Sequence, residues 1–148
     1  MQLEINSDLR IQDTKNGFWA LVTDYFVTIE NKEEIVIIKI PEKFETDFCS
    51  VPRIPFAYLL LGGLAHHAGL IHDALYTDSS SVVIREISDH VQYEYSRAWA
   101  DEVFLEALKA CGIGLAKRLA MYAGVRLAGW RYFKKRKDRV YIRSQRKQ

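Results

Sequence analysis

A histidine, two aspartates and a tyrosine stand at spacings that could bring them to one buried site. His72 and Tyr76 are four residues apart with Asp73 next to His72, and Asp101 lies in the apolar stripe of a second helical segment. Residues three or four apart share a helix face. An unpaired buried carboxylate costs several kcal/mol or becomes neutral, so Asp101 needs a partner. We predict neighbouring helices, with His72 or Tyr76 as that partner and a His72–Asp101 hydrogen bond in particular.

Such a cluster has a catalytic and a structural interpretation. A carboxylate bonded to one imidazole nitrogen fixes the tautomer and leaves the other nitrogen as a base for water. The catalytic candidates are therefore His72, Asp101 and Tyr76, and Asp73 could hold a cation such as calcium that polarises a carbonyl. In the structural interpretation, the same side chains form a satisfied polar network that locks two helices together.

Other polar residues give weaker predictions. Asp47 is a second candidate metal ligand and Ser50 a candidate hydroxyl, although both residue types commonly bond the local backbone of a proline-rich loop. His66 and His67 are adjacent and point about 100° apart on a helix. The spacing from His67 to His72 is one longer than that of helical zinc pairs, so zinc is a minor alternative.

The elements that must position these residues change along the chain from strands to helices. Residues 1–42 are rich in aromatic and β-branched residues, with predicted strands at 17–22, 24–29 and 34–40. Asn31-Lys32 is a plausible hairpin turn. The nearly continuous apolar run in the last strand predicts a strand covered on both faces. Residues 41–55 form a predicted loop, because their three prolines exclude a helix.

Three helices are predicted after this loop. They cover residues 64–76, a segment capped by Ser96 and running to residue 110, and residues 115–134, whose apolar spacing places most of its large side chains in the core. Residues 82–95 are ambiguous between a short strand and a loop. Strands followed by helices indicate an α+β fold, with a small N-terminal antiparallel sheet packed with about three C-terminal helices.

Composition and charge separate a globular part from a tail. Of 148 residues, 49% are hydrophobic, which is enough for an ordinary core. Residues 131–148 hold nine of the 21 Lys and Arg but one of the 19 acids, which leaves residues 1–130 with a net charge of −6. We predict one domain over 1–130 and a basic tail over 131–148, which either contacts a polyanion or stays solvated and partly disordered. Two cysteines, Cys49 and Cys111, do not make a disulfide scaffold and indicate reduced thiols.

Four ordered motifs resemble a phage and prophage family of short proteins of unknown function. The family pattern is T-D-F-A-S-V-P-R, then H-D-x-L-Y, then R-x-x-A-D-x-x-F, then A-V-R-x-x-G. The matching segments here are residues 46–53, with Cys49 in place of alanine, and residues 72–76, 97–104 and 123–129, with Gly124 inserted before Val125. The resemblance implies a phage or prophage origin and says little about activity.

A more distant resemblance is to phospholipases of the A2 class, including the lipase domain of parvovirus capsids. These have H-D-x-x-Y on one helix and an aspartate on the next. The resemblance implies that His72 activates water, Asp73 binds calcium, Asp101 orients His72 and Tyr76 braces Asp101. The glycine-rich calcium loop of these enzymes is not recognisable here, and residues 46–53 or 61–63 would have to replace it.

Two functions therefore remain open. One is a calcium-assisted phospholipid acyl hydrolase whose basic tail binds an anionic lipid surface. The other is a non-catalytic component of the virion, its tail, baseplate or connector, or of its assembly, which binds other phage structural proteins or DNA. In both cases we expect the protein to be synthesised in the host cytoplasm. We further expect that it later associates with the virion.

Overall fold

The computed structural model describes residues 1–32, 35–48, 65–77, 83–86, 95–131 and 133, with the backbone alone for 83–86. Within these residues the chain forms six strands, a first helix, a seventh strand and then two further helices. The predicted α+β class is confirmed. No helix in the described segments is long and apolar enough to cross a membrane.

The strands form two antiparallel sheets. One sheet has the order β1-β4-β5-β7 and the other the order β2-β3-β6. The strands are β1 (Gln2–Ile5), β2 (Ile11–Asp13), β3 (Trp19–Leu21), β4 (Tyr25–Glu30), β5 (Ile35–Ile40), β6 (Glu45–Thr46) and β7 (Val83–Glu86). Strand β6 lies within the predicted loop, and β7 resolves the ambiguity over residues 82–95 in favour of a short strand.

The predicted hairpin between β4 and β5 is confirmed, because the two strands pair in register from Tyr25 opposite Ile40 to Glu30 opposite Ile35. Alternate residues of both strands face the core. The prediction that β5 is covered on both faces is wrong, since Ile35 is exposed and Ile37 is half-buried. Isoleucine satisfies strand propensity on either face, so an apolar run does not by itself show two-sided burial.

The helices are α1 (His66–Tyr76), α2 (Arg97–Ala110) and α3 (Leu115–Ala128), and one 3-10 turn (Gly129–Arg131) follows α3. The Ser96 hydroxyl accepts a hydrogen bond from the Trp99 amide, which confirms the predicted cap of α2. Gly112 adopts a left-handed φ of 75° after α2, a conformation that glycine allows at little cost. Helix α2 is central, because it packs against α1, α3 and β1.

Helix α3 is shorter than predicted and less buried. The apolar spacing of residues 115–134 predicted a largely buried face, but Val125 is the one buried residue of α3. Leu119 and Trp130 are exposed and are thus exceptions to the prediction that most of these side chains lie in the core. Val125 is buried, and Tyr122 and Phe133 are partly buried against the core. Apolar periodicity identifies a helix face but not whether the protein itself covers that face.

Candidate functional site

Helix α1 is enclosed on all sides over its last nine residues, 68–76. This places His72 and Asp73, two of the predicted site residues, in the interior. The third, Tyr76, is also buried, and its hydroxyl reaches the neighbouring helix α2. At the C-terminal end of α1, the Tyr95 hydroxyl donates to the Leu75 carbonyl at 2.7 Å, which satisfies one of the free carbonyls of a helix end.

The carboxylate of Asp101 joins all three helices. It is fully buried and accepts hydrogen bonds from the Tyr76 hydroxyl of α1, from Arg97 Nη1 one turn earlier on α2 at 3.3 Å, and from Arg126 Nη1 of α3 at 2.9 Å. Arg97 Nη1 also donates to the Arg126 carbonyl at 3.2 Å. A buried carboxylate surrounded by donors in this way is compensated, and removal of any one partner would leave a desolvated group.

Gly129 makes room for this network. A Cβ placed on Gly129 would lie 2.5 Å from the Tyr76 hydroxyl oxygen and 3.2 Å from its ring. No carbon atom can stand that close, so the residue after α3 must lack a side chain if Tyr76 is to reach Asp101. The closing glycine of the last motif is thus explained by a close approach rather than by backbone conformation, because its φ is −63°.

The predicted hydrogen bond between His72 and Asp101 is wrong. Both ring nitrogens of His72 are buried and have no hydrogen-bond partner among the described residues, whereas Asp101 is occupied by Tyr76 and the two arginines. The imidazole instead lies between two aromatic rings, with centroid distances of 4.0 Å to Tyr76 and 4.7 Å to Phe104. The contact between Tyr76 and Asp101, which the distant resemblance implied, is confirmed.

Burial sets the protonation states at this site. It lowers the pKa of His72 from 6.5 to about 3, so the ring is neutral at physiological pH. Burial, followed by the hydrogen bond to Asp101, raises the pKa of Tyr76, which keeps its hydroxyl a neutral donor. The hydrogen bond to Asp101 raises the pKa of Arg126. The network therefore pairs one carboxylate with two cations and contains no second acid.

Asp73 belongs to a separate contact between α1 and the loop after β6. The Thr46 hydroxyl donates to Asp73 Oδ2, and the Phe48 amide donates to Thr46 Oγ1 at 3.0 Å. Phe48 adopts a left-handed φ of 55°, and its carbonyl oxygen would lie 3.0 Å from a Cβ on Gly69. Residues 46–48, the described part of the first motif, thus contact α1 about one turn from His72.

The described part of the chain contains no large group of candidate metal ligands. No group of three His, Cys, Asp or Glu side chains forms there. Asp73 supplies one carboxylate, whereas calcium takes six to eight oxygen ligands. The described residues therefore do not make up a calcium site by themselves, and calcium binding by Asp73 and Asp47 stays a prediction. Ser50 and Cys49 lie outside the described residues.

The adjacent histidines have different neighbours. The ring of His66 stacks on Phe48 with centroids 4.8 Å apart, and His67 Nδ1 shares a hydrogen bond of 2.5 Å with the Tyr25 hydroxyl of β4. Burial lowers the pKa of His67. Each of the two rings thus has a packing role between α1 and another element.

Four residues of the site were not predicted from the sequence, although all lie in the quoted motifs. Arg97 stands four residues before Asp101, a spacing that predicts an ion pair along one helix. Arg126 lies within the apolar spacing of the third predicted helix, and a charged residue there indicates a buried partner without identifying it. Thr46 and Gly129 gave no signal beyond their place in a motif, because their contacts join segments distant in sequence.

Residues 19–125 match the model of a family described as a protein of unknown function, DUF1353. This match covers more than half of the chain. The chain belongs to the DUF1353 family. The matched region includes the Thr46–Asp73 contact and all of the Asp101 network except Arg126 and Gly129. Neither the curated proteins nor the solved structures gave a significant match.

Proposed function

We propose that this DUF1353 protein is a non-catalytic component of a phage particle or of its assembly, in which the motif residues hold the helices together. The observation that carries this proposal is the saturation of Asp101 by donors from α1, α2 and α3. The resemblance of the four motifs to phage and prophage proteins supports the origin.

The state of His72 supports the same proposal. A general base must come within about 2.6 to 3.2 Å of the water or substrate proton that it takes. His72 is fully buried between Tyr76 and Phe104, and its pKa is far below the operating range of a base at neutral pH. Asp101 does not bond the ring, so it neither fixes the tautomer nor stabilises a positive charge on it. The described arrangement thus lacks the features that make a histidine a base.

A second candidate, the calcium-assisted acyl hydrolase, is favoured by the contact of Thr46 with Asp73. This contact brings the loop after β6 to the residue that would bind calcium, as the substitute for a calcium loop requires. The bracing of Asp101 by Tyr76 also agrees with the resemblance to phospholipases. In this candidate His72 is the base, and α1 must move or open before the ring can reach water.

The two candidates are separated by release of fatty acid from phospholipid vesicles, with calcium and with chelator. We expect no turnover and no rise in melting temperature when calcium is added. Turnover by the wild-type protein that His72→Gln abolishes and His66→Gln retains would overturn the proposal in favour of the hydrolase. Asp73→Asn would then weaken the calcium dependence, because it removes ligand charge.

The structural proposal also has a positive test. Particles purified after induction of the prophage that carries the gene are expected to contain the chain, or to be misassembled when the gene is deleted. Asp101→Asn, which weakens the network, should reproduce the deletion phenotype in part, whereas His66→Gln should not. Normal particles that form without the gene and do not contain the chain would refute the proposal.

A further inference from the structure

Helix α3 turns an apolar face to solvent. Leu127 is 79% exposed, Trp130 63% and Leu115 62%, which is unusual for side chains of this size in a monomeric protein. At 100° per residue these positions fall on one side of the helix axis. Small apolar residues and one further leucine complete the same side, and all are exposed: Ala116, Leu119, Ala120 and Ala123. Arg126 also falls on this side, between Leu115 and Leu119, and its partly exposed guanidinium pairs with Asp101. The apolar side chains therefore form one face with a single arginine near its edge.

The surroundings of this face carry positive charge. Helix α3 has no acidic residue, and the stretch from residue 107 to residue 137 contains none either. Lys117 lies on the other side of the helix from the apolar face and is exposed. Lys134, Lys135, Arg136 and Lys137 follow within a few residues of the end of the helix. An exposed apolar face on a helix whose charged residues are all basic matches a surface with apolar chains beneath anionic headgroups.

Trp130 marks the end of the face. Its ring is exposed, and the Arg131 guanidinium lies over it, 5.1 Å from the ring centroid. Tryptophan favours the boundary between lipid headgroups and acyl chains because its ring is apolar and its N–H is polar. A tryptophan and an arginine at this position are therefore suited to the headgroup level.

We propose that α3 docks on an anionic lipid surface, with the Leu115, Leu119, Leu127 and Trp130 side chains in the interface and the Arg131 guanidinium at the headgroups. The inference goes beyond the proposed function and does not depend on it. A second copy of the chain is a poorer occupant, because every charged residue of α3 is basic and two copies of the helix would repel each other. Nucleic acid is poorer as well, since its phosphates leave the exposed leucines without apolar contacts.

The test is flotation of the full chain with vesicles of phosphatidylcholine alone or with one third phosphatidylglycerol. We expect binding to the anionic vesicles at low salt, weaker binding at high salt, and a blue shift of tryptophan fluorescence. Leu119→Glu should reduce binding about tenfold or more, because it places a charge in the apolar face. Val22→Glu is the matched control, since Val22 is 46% exposed and Leu119 49%, and Val22 directly follows β3 rather than lying on α3.

Three results would overturn the inference. The first is equal binding of wild type and Leu119→Glu, with both proteins folded as judged by circular dichroism. The second is a stable dimer in the absence of vesicles that Leu119→Glu converts to a monomer, which would assign the face to a second copy. The third is salt-sensitive binding to duplex DNA without any binding to the anionic vesicles.

Discussion

A single carboxylate, Asp101, is the residue on which three helices depend for their polar contacts. Its two oxygens accept from one phenol and two guanidinium groups, and all of its charge compensation comes from side chains separated by at least four residues. Partners of this kind are satisfied only in the native arrangement. Loss of the carboxylate would therefore remove a hydrogen-bond acceptor from Tyr76, Arg97 and Arg126 at once.

Asp101→Ala is expected to lower the free energy of unfolding by about 3 to 5 kcal/mol, because it leaves two arginines and a buried hydroxyl without their acceptor. Asp101→Asn should cost less, since one acceptor oxygen remains. Urea unfolding measures both. Glu102→Ala is the matched control, because Glu102 is the exposed neighbour on the same helix and should change stability by no more than about 0.5 kcal/mol. Equal effects of the changes at 101 and 102 would contradict the buried network.

His72 makes stability depend on pH. Burial holds its pKa at about 3 in the folded protein, against an ordinary value of 6.5, so below pH 6.5 the unfolded chain binds a proton that the folded chain does not. Stability is therefore fully present above pH 6.5 and falls as the pH drops toward 3, by about 1.4 kcal/mol per unit. His72→Gln should remove this part of the slope, to be measured by urea unfolding between pH 7.5 and pH 5. A slope unchanged by the substitution would show that the ring is solvated.

The residues of the site could be selected from the sequence, but their pairing could not. Helical spacing and apolar neighbours were enough to identify Asp101 and Tyr76 as buried and interacting. The choice between His72 and the arginines as the partner of Asp101 depends on how α3 crosses α2, and no local pattern contains that crossing. Of the two arginines, Arg97 alone had a local signal that identified Asp101 as its partner, through its spacing of four residues.

Among the elements, α3 packs against α2 but has one fully buried side chain, that of Val125, with Met121 and Tyr122 partly buried against the core. The helix also contributes the Arg126 guanidinium to Asp101 and is followed by Gly129 in contact with Tyr76. Its position is thus set by a polar network and a close glycine contact together with a narrow apolar contact.

Gly129→Ala tests this close contact. The new methyl group would overlap the Tyr76 hydroxyl, and overpacking of this kind costs about 1 to 3 kcal/mol. Gly114→Ala is the control, because no atom lies within 4 Å of a Cβ there and its φ is −61°, which alanine adopts freely. In Tyr76→Phe the hydroxyl is gone, so the added cost of Gly129→Ala should be smaller. If Gly129→Ala costs the same in the wild-type background as in Tyr76→Phe, the Tyr76 hydroxyl does not contact residue 129.

The order of strands and helices followed from sequence patterns, whereas the partition into two sheets did not. Strand-forming residues and the turn at Asn31-Lys32 identified the β4–β5 hairpin, but not its register. Strand β6 has two residues and pairs with β3 across the intervening hairpin, so it carries no periodicity of its own. The exposure of α3 was missed because an amphipathic pattern is the same whether the apolar face meets a core or a membrane.

For the whole molecule, the charge asymmetry places an acidic globular part beside a cationic C-terminal end. The packed part extends at least to Phe133, whose ring meets Tyr76 edge-on with centroids 5.3 Å apart and Tyr95 at 6.3 Å. The packing of Phe133 suggests where the chain can be shortened without loss of the fold.

Truncation after Phe133 is expected to leave the melting temperature unchanged, because the removed residues are mostly polar or charged. Truncation after Trp130 should lower the free energy of unfolding by about 1 to 2 kcal/mol, because it also removes the Phe133 ring from its two aromatic contacts. Thermal unfolding of the two shortened chains beside the full chain measures the difference. A large loss on the first truncation would show that residues 134–148 take part in the fold.

The way in which Arg126 holds α3 has a consequence for the dynamics of the chain. Arg126 is about one third exposed, so its attraction to Asp101 is open to screening by dissolved ions, whereas the strands are held by buried apolar side chains that ions do not weaken. Added salt should thus speed amide hydrogen exchange in α3 while exchange in β4 and β5 stays slow. Helix α3 would then open as a unit at an ionic strength at which the sheet stays folded.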